Sequence, residues 1–205
     1  MMNLHSDQEN DPYHVLPSVI FLDEKIQLLD SRIKKLAEGL TENHGRTALQ
    51  DASLQLIPAT SSLAKSIREL IREGYLLSAL VLFRPLMERV ATLSYLVRNE
   101  EAIALWEAGW PHGRRPSLRE RLTTLMPGAT DEIFSSFTAA VTKYNSLIHG
   151  DPDAAQQSMI ELSGHGGSYT LDRDYVTPGR AGGIALETAI SVVFLIVLID
   201  DIFPQ

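Results

Sequence analysis

The polar residues with the clearest chemical spacing lie in Lys143-Tyr144-Asn145-Ser146-Leu147-Ile148-His149-Gly150. Asn145 and His149 are four residues apart and share a helix face, with Lys143 on a neighbouring line about one and a half turns back. A histidine near a helix C-terminus has its cationic form stabilised by the dipole. Its ordinary pKa lies near neutrality, which suits proton transfer. The same histidine can instead close the helix and hydrogen-bond core groups, and the residues alone leave both readings open. Arg84 and Glu88 form a second pair, also four apart, beside Pro85 and Arg89. They interrupt a helix that is otherwise apolar nearly all round. A charged pair in that setting is costly unless its members satisfy each other. It either fixes helix register or lines a polar pocket with His149. A third group, Trp110-Pro-His112-Gly-Arg114-Arg115-Pro116 with Arg119 and Arg121 following, is the only basic cluster in an acidic chain. Such a loop suits tracking a phosphate backbone and stacking a base, or it is an ordinary solvated loop.

The elements that must carry these residues read as helices. The third, over residues 75–98, is apolar nearly all round, with Leu76, Leu80, Phe83, Met87, Val90, Leu93 and Val97 recurring at helical steps. Pro85 removes a backbone donor inside it, so a bend near Arg84 is expected. The first helix starts at Pro17 and carries Val19, Leu22, Ile26, Leu29, Ile33, Leu36 and Leu40 at heptad spacing. That seam fits a partner within a bundle or a dimer contact. The second helix, about 46–73, repeats Leu49, Ala52, Leu56, Ala59, Leu63, Ile67 and Leu70, with Pro58 inside and Gly74 as its stop. The first two are expected to form a hairpin. Short helices follow over 100–108 and from Ser117, where Ser117-Leu-Arg-Glu120 is a capping box. Another runs from Asp131 to His149. A short one from Asp151 to about Leu162 precedes a glycine-containing loop over 163–179, and a last helix covers 181–203. The expectation is an all-α, single-domain bundle of about seven helices over residues 15–205, with residues 1–14 loosely attached.

Composition narrows the function classes. The chain has 205 residues, is 44% hydrophobic and 21% charged, and carries a net charge of -8. That balance argues against broad non-specific nucleic-acid binding, though not against one basic cleft on an acidic body. With no cysteine, disulfides and thiolate metal sites are excluded. His149, His165 and Asp151 have no spacing that marks a metal site, and neither metal nor cofactor is expected. The N-terminus is polar and acidic, unlike a signal peptide, so a cytoplasmic location is expected. The uncharged run Ala189–Ile199 spans eleven residues against the roughly 20 of a membrane span, so a buried core helix is expected and no membrane partner.

Arg84-Pro85-Leu86-Met87-Glu88, followed by Asn145-x-x-x-His149-Gly150, resembles the HEPN superfamily of small helical domains and the uncharacterised helical families near it. The resemblance covers about Leu76 to Asp151. It implies a compact helical bundle, often dimeric, whose active members are metal-independent ribonucleases of toxin or antiviral systems. Carried over, His149 is the acid/base and Asn145 the polar member, while Lys143 stands where arginine is expected. Arginine grips a phosphate bidentately and lysine is a point charge, so Arg84 would have to supply the missing guanidinium. In that chemistry His149 takes the proton of a ribose 2′-hydroxyl, and that oxygen attacks the adjacent phosphate. Lys143 or Arg84 stabilises the developing charge, and a second His149 from a dimer partner protonates the leaving group. The implied partners are a second copy, RNA, and an antitoxin or other protein. The alternative is a non-catalytic helical module that binds a protein or small ligand, with Arg84, Glu88 and His149 structural.

Overall fold

The computed structural model describes residues 11–39, 45–130, 132, 135, 139, 159–161, 167–169 and 173–204. Six helices are found among them: α1 (Pro17–Gly39), α2 (Ala48–Arg72), α3 (Leu76–Arg98), α4 (Ala102–Glu107), α5 (Leu118–Leu125) and α6 (Pro178–Ile202). The chain is an all-α bundle, as its periodicities imply. Between α5 and α6, β1 (Met159–Glu161) pairs antiparallel with β2 (Gly167–Tyr169), Ile160 opposite Ser168. The helix expected to reach Leu162 is therefore extended over 159–161, where the ladder with β2 supplies backbone partners that helix propensity alone does not outweigh. Residues 132, 135 and 139 are helical, in keeping with the helix expected from Asp131. Lys143, Asn145 and His149 lie outside the described residues, as do His165 and Asp151.

Helix α3 is the centre of the bundle, in contact with α2, α5 and α6. Leu76, Leu80, Phe83, Leu86, Met87, Val90, Leu93 and Leu96 are all buried. Fully burying a leucine or phenylalanine is worth about 1.5–3 kcal/mol, so this one helix accounts for much of the apolar burial. Both interior prolines are accommodated without a break, as α2 runs through Pro58 and α3 through Pro85.

The pairing of the helices departs from the sequence pattern in two places. The heptad seam of α1 does face inward, with Val19, Leu22, Ile26 and Leu29 buried, but its main partner is α6 rather than α2. Helix α2 instead packs along α3. Its deepest residues are Ala52, Ser53, Ile57, Thr60, Ser61, Ala64, Ile67 and Ile71, a stripe turned from the larger leucines at 49, 56, 63 and 70, which are only half-buried. Five of these eight are small residues, serine, threonine or alanine. Two of the hydroxyls satisfy themselves locally: Ser53 Oγ donates to the Leu49 carbonyl at 2.6 Å and Thr60 Oγ1 to that of Leu56 at 2.7 Å.

Helix α6 is 25 residues long with a mean hydropathy of 2.4 over its most apolar window, long and apolar enough by length and composition to cross a membrane. More than half of that window, 56%, is buried within this protein. It packs on α1, α3 and α2.

Residues 11–14, expected to be loose with the rest of 1–14, are instead pinned. Tyr13 is buried, and its hydroxyl donates to the Asp174 carbonyl at 2.6 Å. Asp11 is buried and pairs with Arg68 at 2.5 Å, and the same guanidinium donates to Asp23 through Nε at 2.6 Å and Nη2 at 2.9 Å. Asp174 ties three parts of the chain together. Its amide donates to the Gly74 carbonyl at 2.8 Å, and its carboxylate accepts from the amides of Val176 and Thr177 at the entry to α6. Gly74 closes α2 with φ +76°; the Gly74 amide donates to the Ile71 carbonyl and the Tyr75 amide to that of Leu70. A Cβ there would sit 2.7 Å from the Tyr175 ring and 3.0 Å from Arg173 Cβ.

Two measurements check this frame. Gly74→Ala combines a left-handed backbone with a clash and lowers unfolding free energy by about 1–3 kcal/mol in urea titration. Burial, helped by the Asp174 charge, raises the Tyr13 phenol from 10.0 to about 12. The unfolded chain therefore releases this proton first. The contribution is intact below pH 10 and falls away as pH rises toward 12. Tyr13→Phe removes that alkaline loss from a stability–pH profile while costing about 1 kcal/mol at neutral pH.

Candidate functional site on the α3–α5 face

Arg84, Glu88 and Thr92 stand at four-residue steps along α3, facing α5. Arg84 Nε donates to Glu88 Oε1 at 3.1 Å, and the two side chains are 23% and 24% exposed. The expected pair is thus formed, but at the boundary of the core rather than inside it. The described bond uses Nε, on the flank of the guanidinium. The other carboxylate oxygen, Oε2, lies 3.8 Å from Arg115 Nη2. Arg115 comes from the loop before α5 and is 58% exposed, so this pair is held loosely.

Helix α5 brings a further guanidinium from beneath. Arg121 is 3% exposed. Its Nη1 donates to Thr92 Oγ1 at 2.7 Å and to the Glu88 carbonyl at 3.4 Å. Thr92 Oγ1 in turn donates to the Glu88 carbonyl at 2.7 Å. Arg121 Nε is buried and has no hydrogen-bond partner. Burial pushes the pKa of this guanidinium down. The cations of Arg115 and Arg84 push the same way, and Glu88 opposes them. Two guanidiniums, Arg84 and Arg115, therefore meet the Glu88 carboxylate, and a third, Arg121, bonds its main-chain carbonyl.

The sequence of α5 sets this up. Ser117 Oγ accepts from the Glu120 amide at 3.2 Å and Glu120 Oε2 accepts from the Ser117 amide at 2.6 Å, the capping box that the spacing implies. That engages Glu120 at the cap, where the bonds from Ser117 lower its pKa. Arg121, which follows the basic loop in the sequence, is carried by α5 into the core and is not on the surface with Arg114 and Arg119. Its signal is present, because Leu118, Arg121, Leu122 and Leu125 form the inward stripe of a short helix, and an arginine on such a stripe needs internal partners.

The remaining candidates go elsewhere. Arg89 Nη1 donates to the Ala59 carbonyl at 3.1 Å, tethering α3 to α2 one residue past Pro58. Trp110 has φ +53°, uncommon for a bulky residue. Its ring packs edge-on to Tyr95 with centroids 6.4 Å apart, beside a small core of Ala52, Leu96, Ala102 and Ile103. Half-buried in this way, it serves α4 packing. Arg114 and Arg119 are exposed, and no described interaction brings either to Glu88. Of the basic loop, only Arg115 joins the α3 pair. Among the described residues, no group of three or more His, Asp or Glu is placed to hold a metal.

Residues 50–148 match the model of a family of unknown function, DUF5677, just under half of the chain. That span holds Arg84, Glu88, Arg115, Arg121, Lys143 and Asn145, and stops one residue before His149. No curated protein and no solved structure matches the chain significantly.

Thr92→Val tests the Arg121 anchor. It keeps volume while removing the strongest acceptor of a buried guanidinium, so chemical denaturation shows a loss of about 1–3 kcal/mol. Thr123→Val, on the exposed side of α5, stays within about 0.5 kcal/mol of the parent.

Proposed function

We propose that the chain is an HEPN-like, RNA-directed protein of a prokaryotic defence or toxin system, working in the cytoplasm as a homodimer. On this reading it is a metal-independent ribonuclease. His149 is the acid/base, Asn145 orients it, and Lys143 with Arg84 meets the phosphate. The observation that supports this most is the excess of guanidinium groups around Glu88. An arginine fork matches phosphate oxygens in geometry and charge. The excess also answers the weakness of the motif itself, which offers lysine at the position where the HEPN pattern has arginine. Arg84, on α3, is the residue of that pair able to grip bidentately.

A second reading is favoured by how Arg121 is held. Its bonds to Thr92 and the Glu88 carbonyl lock α5 onto α3. Such a lock suits a non-catalytic module in which Arg84 and Glu88 set helix register and the bundle binds a protein or small ligand.

Incubating the purified full chain with single-stranded RNA separates the two. The ribonuclease reading requires cleavage by wild type in the presence of chelator. It also requires that His149→Ala lower the rate by ~100-fold or more, the scale of a lost general acid/base, with the melting temperature unchanged. If wild type never cuts RNA and His149→Ala melts several degrees lower, the module reading stands.

A further inference from the structure

Most cations in the described ion pairs meet a single acid, and a few meet two. Arg68, flanked by Asp11 and Asp23, is the clearest case. On the α3–α5 face Arg84 and Arg115 share the Glu88 carboxylate, with Arg121 as a third guanidinium on the Glu88 carbonyl, whereas Arg72 and Arg173, which share Glu73, have Glu69 as a second acid. In a chain of net charge -8, such a local surplus is unexpected unless an anion completes it. Two details indicate where. Arg121 keeps a buried Nε without a partner. Glu88 Oε2 reaches Arg115 only at 3.8 Å, beyond hydrogen-bond distance, while the Arg115 side chain stays more than half exposed. The carboxylate thus sits between two guanidiniums, hydrogen-bonded to Arg84 and only loosely paired with Arg115.

We propose that Arg84 and Arg115, backed by Arg121, form a binding site for a phosphate-class oxyanion, and that Glu88 is its built-in competitor. In the free protein the Glu88 carboxylate screens the two outer guanidiniums from each other. An arriving phosphate, with more charge and more acceptor oxygens, takes Arg115 and the fork of Arg84, and the Glu88 side chain turns away toward solvent. Arg121 stays in place. It supplies fixed positive charge from below and holds the Glu88 backbone, so only the side chain has to move. The site discriminates by charge: a monoanionic carboxylate does no better than Glu88 itself, whereas a phosphate does. This deepens the reading of the face as a phosphate contact and rests on it, but it does not require that RNA be cut.

The test is a titration of the full-length protein at fixed ionic strength with two probes, inorganic pyrophosphate and a short single-stranded RNA. Binding is read by calorimetry and, for RNA, by anisotropy. Glu88→Gln keeps shape and removes the competing charge, so at least one probe binds roughly tenfold more tightly, as expected for deleting one charge at a partly exposed site. Arg115→Ala, at an exposed loop position with little bearing on folding, weakens the same probe by a similar factor. Acetate at matched concentration does not compete. A response with RNA alone assigns the site to the polynucleotide backbone. A response with pyrophosphate alone assigns it to a free phosphate compound, keeps this proposal and removes the RNA reading above. If Glu88→Gln binds both probes no better than wild type, or Arg115→Ala leaves both unchanged, the site is a structural ion-pair cluster and the proposal fails. Should Glu88→Gln prove unfolded by circular dichroism, Arg115→Ala together with Arg115→Lys decides. A site that uses the arginine fork is not rescued by lysine, and full rescue overturns it.

Discussion

The burial of Arg121 constrains the centre of this molecule more than any single apolar contact does. An arginine side chain cannot be neutralised at ordinary pH, so its charge enters the α3–α5 seam intact. There it needs acceptors, and α3 provides two: the Thr92 hydroxyl and the Glu88 carbonyl. That requirement reaches outward in both directions. On α3 it demands a short polar residue at position 92 in a run of leucines, valines and alanines. On α5 it fixes where the helix begins, because the Ser117–Glu120 box sets the phase that points Arg121 and Leu122 inward together. The loop before α5 then has to deliver Arg115 to the rim of the same seam.

What the sequence disclosed and what it concealed follow from the range of the interactions involved. Local rules were readable. The Gly74 stop, the Ser117–Glu120 box and the apolar run of α3 depend on residues within a turn or two of each other. Pairing was not. The seam of α1 has the spacing for a neighbour, yet nothing in its pattern distinguishes α2, next in the chain, from α6, far along it. The α6 run is apolar on nearly every side, so it offers α1 a larger surface than α2 can. In α2, counting large apolar residues pointed to the Leu49–Leu56–Leu63 line. The buried face instead includes Ser53, Thr60, Ser61 and Ala64, small residues that a count of large apolar ones passes over. Asp174 was invisible for the same reason, since its partners, Tyr13 and Gly74, are distant in sequence. Of the site, the Arg84–Glu88 pair was legible from four-residue spacing. Arg121 looked like one more member of a basic cluster.

The two ends of α3 divide the labour. At its start, the Gly74 turn is bonded to Asp174, which also receives Tyr13 and caps the entry to α6, so this end is fastened to three separate parts of the chain. Midway, Arg89 ties α3 to the Ala59 carbonyl of α2. A helix held at its N-terminal turn and again at position 89 has little freedom to rotate. The orientation of Arg84 and Glu88 relative to α5 is therefore set by backbone placement and not by the strength of their own ion pair. This matters because a pair that is nearly a quarter exposed on each side contributes little by itself.

The comparison of Arg68 with Arg121 carries the argument about charge to its end. Both are arginines on the inner side of helices, and burial lowers the pKa of each. For Arg68 the carboxylates of Asp23 and Asp11 outweigh that penalty and raise the value. For Arg121 neighbouring Arg115 and Arg84 add to the penalty, and the single carboxylate of Glu88 does not offset it. The first arrangement has two carboxylates on one guanidinium, although Arg68 Nη1 is, like Arg121 Nε, buried without a hydrogen-bond partner. The second is deficient by the same accounting. Of the described guanidiniums around Glu88, Arg115 is the most exposed, whereas Arg121 is buried. A bundle whose other described ion pairs give each cation at least one acid gathers three guanidiniums around a single glutamate where α3 meets α5 and the loop before it.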